Sequence, residues 1–256
     1  YDGDCNLTET RSNTLGDIYH SEMVVVGAPG ADTAFAGSHQ ESYYRSIKGY
    51  DAWAASKSTR EEILYVGAND GMLHAFRSKD GKELWAFSYE AVYGDLDYGT
   101  GPRAAVTIHN RKVYGMGAIG HTFCLDADGG KALWFRDLAK EEKSKRPFWG
   151  YAGSPLVEGK WILYQIGARP SGCVVALDAE TGATAWRSGD ELAGYGPPVL
   201  IRRGGRSEMI CWGPENVVGL PVGKGKELWK IPYKVKYGVA IATPIYRDGI
   251  VLVSGY

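Results

Sequence analysis

The sequence predicts an all-β fold built from repeated four-stranded antiparallel sheets, and three observations carry this prediction. A pattern recurs four times along the 256 residues: an apolar residue, a glycine five positions later and a tryptophan nine positions later. Successive tryptophans are 49, 52 and 43 residues apart, which is the length of one four-stranded sheet with short turns. The chain also holds 35 glycines, as many tight turns require. The four copies are Phe76–Gly81–Trp85, Leu125–Gly130–Trp134, Leu177–Gly182–Trp186 and Leu220–Gly225–Trp229.

The third copy shows the order of elements within a repeat. Residues 154–157 predict a short strand, residues 161–166 and 173–177 two longer ones, and residues 183–186 an outer strand. The two middle strands are almost continuously apolar, which is typical of sheets covered on both faces by neighbours. Sheets that cover one another in this way around an axis form a β-propeller, and this is the fold we expect.

The repeated glycine and tryptophan each predict a structural role. Glycine supplies the positive φ of a tight hairpin turn, so we expect it at the turn before each outer strand. The large indole ring is expected to pack between adjacent sheets, in the same way in every repeat. The structural turn residues are therefore Gly81, Gly130, Gly182 and Gly225, and the residues between blades are Trp85, Trp134, Trp186 and Trp229.

The repeats predict a single domain with five blades. The blades span about 15–89, 95–138, 150–188, 195–232, and 239–256 combined with 1–14. Residues 239–256 supply only two strands, and an open sheet edge invites aggregation. Residues 5–10 alternate and have strand propensity, so we expect the N-terminal segment to complete a composite last blade. The alternative is an open arc that a partner copy closes; a closed ring would be a monomer.

The charge balance argues against a nucleic acid partner, and the hydropathy of the chain argues against a membrane span. The chain has 29 basic and 30 acidic residues, so no basic surplus exists to neutralise nucleic acid phosphates. No apolar run reaches about 18 residues, which predicts no membrane span. The sequence shows no charged-then-apolar leader after Tyr1, which predicts no signal peptide here and leaves the localisation undecided.

No residue pattern predicts catalysis or metal binding. The cysteines show no C-x-x-C spacing and three of them lie in apolar strands, so burial is expected; a disulfide involving Cys5 stays open. The histidines show no metal spacing, and residues 95–99 lack the later glutamate of a calcium loop. We therefore expect no catalytic residue, no metal, no cofactor and no enzyme activity. The cysteines are Cys5, Cys124, Cys173 and Cys211; the histidines are His20, His39, His74, His109 and His121.

Ligand binding, if the protein has this role, is expected at the mouth of the central channel, where the starts of the inner strands converge. The candidate residues are Arg103, Trp149, Tyr151 and Tyr195. The alternative is that these aromatic residues only pack the rim. A second candidate region is the long insertion at residues 30–60, with a pattern that indicates a short helix and the aromatic residues Tyr43, Tyr44, Tyr50 and Trp53.

Two segments resemble known families. Residues 15–76, above all 65–76 (YVGANDGMLHAF), resemble the propeller of the type IV pilus tip-associated adhesins, although that family's calcium-binding loop pattern is absent. Residues 94–256, with the stretches 95–103, 120–127 and 177–182, resemble quinoprotein-like propellers related to outer-membrane assembly lipoproteins. The two resemblances meet near residues 87–94. We interpret this as a chimera of propeller fragments, engineered or recombined, since repeats with nearest-neighbour contacts tolerate splicing.

The quinoprotein resemblance also includes quinone-cofactor dehydrogenases. Membership of that group would imply a larger ring, a pair of adjacent cysteines, a stacking tryptophan and a calcium held by carboxylates. This sequence has no adjacent cysteines. The prediction is therefore a non-catalytic scaffold or binding module, with an exported bacterial propeller that binds protein partners as the alternative and a dehydrogenase-like enzyme as the less favoured one.

Overall fold

The strands of the computed structural model form four sheets of four strands and one sheet of two strands. It describes residues 22–31, 33, 40–68, 70–94, 96 and 101–255. In every sheet the strands follow chain order and pair antiparallel. The first sheet holds β1 (Val24–Val26), β2 (Ile63–Gly67), β3 (Leu73–Arg77) and β4 (Glu83–Phe87). The second holds β5 (Thr107–His109), β6 (Lys112–Met116), β7 (His121–Asp126) and β8 (Ala132–Asp137).

The later sheets repeat this plan. The third holds β9 (Leu156–Glu158), β10 (Trp161–Ala168), β11 (Gly172–Asp178) and β12 (Thr184–Ser188). The fourth holds β13 (Val199–Arg203), β14 (Arg206–Trp212), β15 (Asn216–Pro221) and β16 (Trp229–Pro232). The fifth pairs β17 (Ile245–Arg247) with β18 (Ile250–Leu252). The prediction of an all-β propeller of antiparallel four-stranded sheets is confirmed. The predicted fifth composite blade depends on residues 1–14, which lie outside the described residues, and stays a prediction.

Helices occupy the connections. The insertion between β1 and β2 contains α1 (Gln40–Ile47) and α2 (Tyr50–Ala55), where the sequence pattern indicated one short helix. A third helix, α3 (Leu138–Glu141), follows β8, and a 3-10 turn spans Lys236–Gly238. Within the described ranges, no helix has both the length and the apolar composition needed to cross a bilayer.

The hydrophobic core lies between consecutive sheets. Each of the four buried clusters joins one sheet to the next, for example Ala75 of the first sheet with Val113 of the second, or Val174 of the third with Met209 of the fourth. The middle strands β10 and β11 are buried along almost their whole length, whereas outer strands such as β16 are largely exposed. Face-to-face packing of neighbouring sheets thus explains the nearly continuous apolar runs.

The repeated glycine and tryptophan meet across the boundary between sheets. The indole N–H of Trp85 donates to the carbonyl of Ala127 at 2.9 Å, and that of Trp134 donates to Ala179 at 3.1 Å. The ring of Trp85 lies over Gly130, where an added Cβ would come within 2.6 Å of it. Trp134 lies in the same way over Gly182. The turn of one sheet therefore supports the tryptophan of the sheet before it.

Trp186 and Trp229 depart from this predicted common environment. Trp186 packs among residues of the fourth sheet and edge-on to Trp161 at 5.8 Å, but its indole N–H has no hydrogen-bond partner within the described ranges. Trp229 is only partly buried, and its indole N–H donates to Glu208 of its own sheet. Gly219, opposite Trp229 in the ladder, has no Cβ, so the indole lies directly over it.

The turn prediction is wrong for one glycine. Gly81, Gly130 and Gly182 adopt φ of 69°, 67° and 71°, as expected. Gly225 does not have positive φ; in that longer turn Gly223 does, at 142°. The carbonyl of Gly225 instead accepts from Ser188 Oγ at 3.0 Å, which ties the fourth sheet to the end of β12.

Candidate binding site at the channel mouth

The chain segments that lead into the first strands of neighbouring sheets contact one another. The hydroxyl of Thr107 in β5 donates to the carbonyl of Pro155, just before β9, at 2.6 Å. The backbone N–H of Tyr195 donates to Ala240 at 2.8 Å. A Cβ on Gly153 would lie 3.2 Å from the carbonyl oxygen of Gly196. The segments that lead into the first strands of neighbouring sheets therefore contact one another, in the region where the sequence predicts a channel mouth.

Three of the four predicted mouth residues come together there. The rings of Trp149 and Tyr195 are 5.8 Å apart, and the Trp149 backbone N–H donates to the Tyr195 hydroxyl at 3.3 Å. Arg103 is buried and close enough for its charge to act on Tyr195. Phe148 packs edge-on to Trp149 at 5.2 Å and is 64% exposed. We call Arg103, Phe148, Trp149 and Tyr195 the mouth cluster.

The electrostatics of the mouth cluster keep its hydroxyl neutral. Burial raises the pKa of Tyr195, while the hydrogen bond from the Trp149 backbone N–H and the positive charge of Arg103 oppose that rise. The cluster therefore presents aromatic surface and a neutral hydroxyl, and the buried guanidinium of Arg103 lies close to them. Aromatic surface of this kind suits contacts with apolar groups of a partner.

Tyr151 does not belong to the mouth, and this part of the prediction is wrong. Its side chain is fully buried in the core between the second and third sheets, and its hydroxyl lies 2.5 Å from that of Ser144. Burial raises its pKa to about 12, against the effects of the Ser144 hydrogen bond and the Arg146 charge. Gly150, with φ of 81°, turns the chain between Trp149 and Tyr151 and sends the two rings to different places.

Phe148 is the mouth residue that the sequence analysis missed. It is directly adjacent to Trp149, so an aromatic pair was visible in the sequence. Which member of such a pair faces solvent depends on the turn, because both residues lie in an irregular segment without strand alternation.

The side chains present do not fit the ligand set of a quinone-cofactor dehydrogenase. Cys124, Cys173 and Cys211 are buried in three different strands, and the sequence has no adjacent cysteines. Hydrogen bonding with Cys211 and burial raise the pKa of the Cys173 thiol. In the part of the chain that the structure describes, no three His, Cys, Asp or Glu residues are grouped as a metal site would need.

The described histidines lie in the first and second sheets. His74 in β3 is buried between two carboxylates, with Nδ1 2.7 Å from Glu83 and Nε2 3.0 Å from Asp70. His121 in β7 stacks on Phe135 at 5.3 Å. His74 thus has hydrogen-bond partners for both ring nitrogens, as a buried polar side chain requires.

Comparison with known proteins identifies the family. Residues 69–256 match the family described as outer membrane protein assembly factor BamB, which is well over half of the chain. The chain belongs to the BamB family. The BamB match begins before β3 and takes in most of the described propeller, including all residues of the mouth cluster.

Curated relatives of this BamB-family chain fall into the two groups that the sequence resembled. The type IV pilus biogenesis factor PilY1 of Pseudomonas aeruginosa is 31% identical over 202 residues, covering 68% of this chain and 17% of PilY1. Its homologue from Xylella fastidiosa is 34% identical over 139 residues, covering 50% and 11%. A quinohemoprotein alcohol dehydrogenase of Comamonas testosteroni is 30% identical over 192 residues, covering 71% and 24%. The chain thus spans between about a tenth and a quarter of these relatives.

A solved structure shows the same fold. The crystal structure of the quinohemoprotein alcohol dehydrogenase from Comamonas testosteroni superimposes with a TM-score of 0.53 at 18% identity, covering 74% of this chain and 37% of that one. Both resemblances seen in the sequence are confirmed. The PilY1 match covers 68% of the chain and therefore extends well beyond residues 15–76. One relative thus reaches into the segment assigned to the other family, and the matches give the chimera interpretation no support.

Proposed function

We propose that this chain is a non-catalytic binding module of the cell envelope that holds a protein partner at the mouth cluster. The observation that carries the proposal is the exposed ring of Phe148 beside Trp149 and Tyr195, with the guanidinium of Arg103 at their side. Tryptophan, tyrosine and arginine are the residues that dominate binding energy in protein interfaces. An exposed aromatic group next to a partly buried one supplies contact area at a low cost in side-chain entropy.

The relatives support a protein partner in the envelope. Their names describe a type IV pilus biogenesis factor and an outer membrane protein assembly factor. The chain spans only part of each curated relative, so the shared property we infer is the propeller's capacity to bind, not the whole protein's activity.

The non-catalytic part of the proposal has its own test. We expect the purified chain, supplied with pyrroloquinoline quinone and Ca²⁺, to show no dye-linked oxidation of primary alcohols above the level without cofactor. The reason is that its cysteines are separated and no described group of acidic residues is placed to hold the ion. Cofactor-dependent oxidation with a matching bound chromophore would show that this part is wrong.

Binding at the mouth can be tested with peptides selected from a phage-displayed library against the full chain. We expect Trp149→Ala to weaken binding of the selected peptides by at least about thirtyfold, which corresponds to a hot-spot loss of roughly 2 kcal/mol. Phe148→Ala is expected to weaken it as well, without loss of thermal stability, because its ring is largely exposed.

Tyr237→Ala provides the matched control. Tyr237 is 75% exposed but lies in the 3-10 turn after β16, outside the mouth cluster. Peptides that bind Tyr237→Ala normally and lose affinity for both mouth variants support the proposal. Equal affinity for the wild type and both mouth variants would place peptide binding elsewhere.

A further inference from the structure

A cavity lies between the insertion and the first two sheets, and none of the mouth-cluster residues lines it. Its volume is about 850 Å³. Helix α2 and the residues after it form one wall, and the turn that joins β5 to β6 forms the other. Small-molecule and peptide pockets commonly have volumes of about 300–1,000 Å³. We call this cavity the insertion groove.

The floor of the insertion groove is apolar. Val26, Ile63, Tyr65 and Ile108 line it from the first and second sheets. Trp53 of α2 is 47% exposed and contributes an aromatic face. Apolar and aromatic lining favours a ligand that buries a hydrophobic group, since its removal from water provides most of the binding free energy.

The charges of the groove are unbalanced. Its two carboxylates are both engaged: Glu61 pairs with Arg77 at 3.1 Å, and Asp128 pairs with Arg111. Lys57 and Arg60 also line the groove, and neither forms an ion pair with a carboxylate in the described part of the chain.

Arg60 is placed to act together with the aromatic wall. Its guanidinium lies 6.0 Å from the centre of the Trp53 ring, the outer limit of a cation–π contact. A ligand ring on Trp53 would thus have a cation beside it. Lys57, in the same chain segment, adds a second positive charge within the lining.

We propose that the insertion groove binds an aromatic carboxylate. The ring would stack on Trp53 over the apolar floor, and the carboxylate would accept hydrogen bonds from Arg60 and Lys57. A guanidinium binds a carboxylate through paired N–H donors, and such charged bonds are the stronger ones. Two sources share this chemistry: a free aromatic acid, and the carboxy-terminal aromatic residue of a protein. The proposal does not depend on the mouth cluster.

The test measures affinity by ligand-observed NMR with N-acetylphenylalanine and its uncharged amide as probes. We expect the acid to bind the full chain at least about tenfold more tightly than the amide, because only the acid can form the charged hydrogen bonds. The affinity of the double variant Lys57→Gln, Arg60→Gln for the acid should fall to its affinity for the amide. Both side chains are exposed, so the fold should be retained.

A peptide identifies the source of the ligand. Gly-Ser-Gly-Ser-Phe with a free carboxyl end is compared with N-acetylphenylalanine, and its amidated form serves as the uncharged analogue. Tighter binding of the free peptide than of N-acetylphenylalanine assigns the groove to a protein terminus, and equal or weaker binding assigns it to a free acid. Either result supports the aromatic carboxylate if the amide binds more weakly.

Lys236→Gln and Trp149→Ala are the controls. Lys236 lies 5.2 Å from the ring of the exposed Tyr237, so it is also a cation beside an aromatic ring, but it does not line the groove. Both controls should keep wild-type affinity for the acid, and retention in Trp149→Ala separates this site from the mouth. Equal binding of acid and amide, or an undiminished affinity in the double variant, would overturn the proposal.

Discussion

At the scale of single residues, the repeat glycine of two sheets has a role beyond its turn. Gly130 and Gly182 adopt positive φ, and each also leaves room for the tryptophan of the preceding sheet. Gly81 has the same backbone conformation, but an added Cβ there would meet nothing within 4 Å. The two contributions, backbone conformation and close packing, can therefore be separated within this one chain.

We expect Gly182→Ala to lower the free energy of unfolding by about 3 kcal/mol. Positive φ costs an alanine about 1 kcal/mol, and the overlap of its Cβ with the Trp134 ring adds about 2 kcal/mol. Gly81→Ala should cost only the first of these, about 1 kcal/mol. Urea unfolding of both variants measures the difference, and equal losses would mean that the contact with Trp134 is unimportant.

An aspartate after the apolar residue of the repeat stabilises the turn. The Asp178 carboxylate accepts from the backbone N–H of Thr181 at 3.0 Å, from the Thr181 hydroxyl at 3.0 Å and from Glu180 at 3.1 Å. These bonds, the one to the Thr181 backbone first, lower the pKa of Asp178. Asp178 thus holds the backbone of the turn between β11 and β12 through its side chain.

The lowered pKa predicts a pH-dependent contribution to stability. A carboxyl group whose pKa is lower in the folded state stabilises the fold above its unfolded pKa of about 3.9, and this effect is lost as the pH falls through the folded value. We therefore expect Asp178→Asn to melt at a lower temperature than wild type at pH 7, with the gap narrowing towards pH 3. A gap that stays constant over this range contradicts the assignment.

At the scale of elements, adjacent sheets are joined by different contacts at different boundaries. The first two boundaries use an indole N–H donated to an alanine carbonyl, at Ala127 and Ala179. At the third boundary, Val222 holds the equivalent position and Trp186 has no partner for its N–H in the described part of the chain. The same repeat residue therefore contributes a hydrogen bond at some boundaries and only packing at another.

The difference between Trp85 and Trp186 predicts that replacing each with phenylalanine lowers the free energy of unfolding by unequal amounts. Trp85→Phe removes the indole N–H and leaves the buried Ala127 carbonyl without its hydrogen-bond donor. We therefore expect a loss of about 3 kcal/mol in the free energy of unfolding. Trp186→Phe should cost about 1.5 kcal/mol, since only ring volume is lost. Both rings are 8% exposed, which makes them a matched pair in chemical denaturation. Equal losses would rule out a stabilising role for the inter-sheet hydrogen bond.

At the scale of the whole molecule, the fifth sheet presents apolar side chains to solvent. Ile245, Ile250 and Leu252 are each about 60–70% exposed on its two strands. An apolar two-stranded sheet is only marginally stable by itself and tends to pair with further strands. This is the sheet that the sequence analysis expects residues 1–14 to complete.

Deleting residues 1–14 tests the composite blade. If they add strands to β17 and β18, their removal should lower the melting temperature and shift native mass spectra from monomer towards dimer, because the open edge then pairs with a second copy. Unchanged melting and mass would show that these residues do not close the ring, and a dimer already present in the full chain would favour an open arc.

The repeat pattern was enough to predict the sheets but not all of their contacts. Strand order, turn glycines and buried middle strands follow from local hairpins, whose signals lie within about 50 residues. In the fourth sheet Gly223, not Gly225, has positive φ, and the Trp229 indole lies over Gly219 and donates to Glu208. The spacing of the repeat does not report these contacts, because Gly219 and Glu208 lie on two other strands of the same sheet.

The fold class, the family and the side chains available for binding could all be read from the amino-acid sequence. Which of those side chains meet depends on the folded chain: Trp149 lies against Tyr195, 46 residues away, and Tyr151 is turned into the core. The physical reason is that propeller strands obey periodic rules of burial, whereas the segments that enter the inner strands are irregular. Their side-chain directions depend on single turns such as Gly150 and on the neighbouring sheet that each segment packs against.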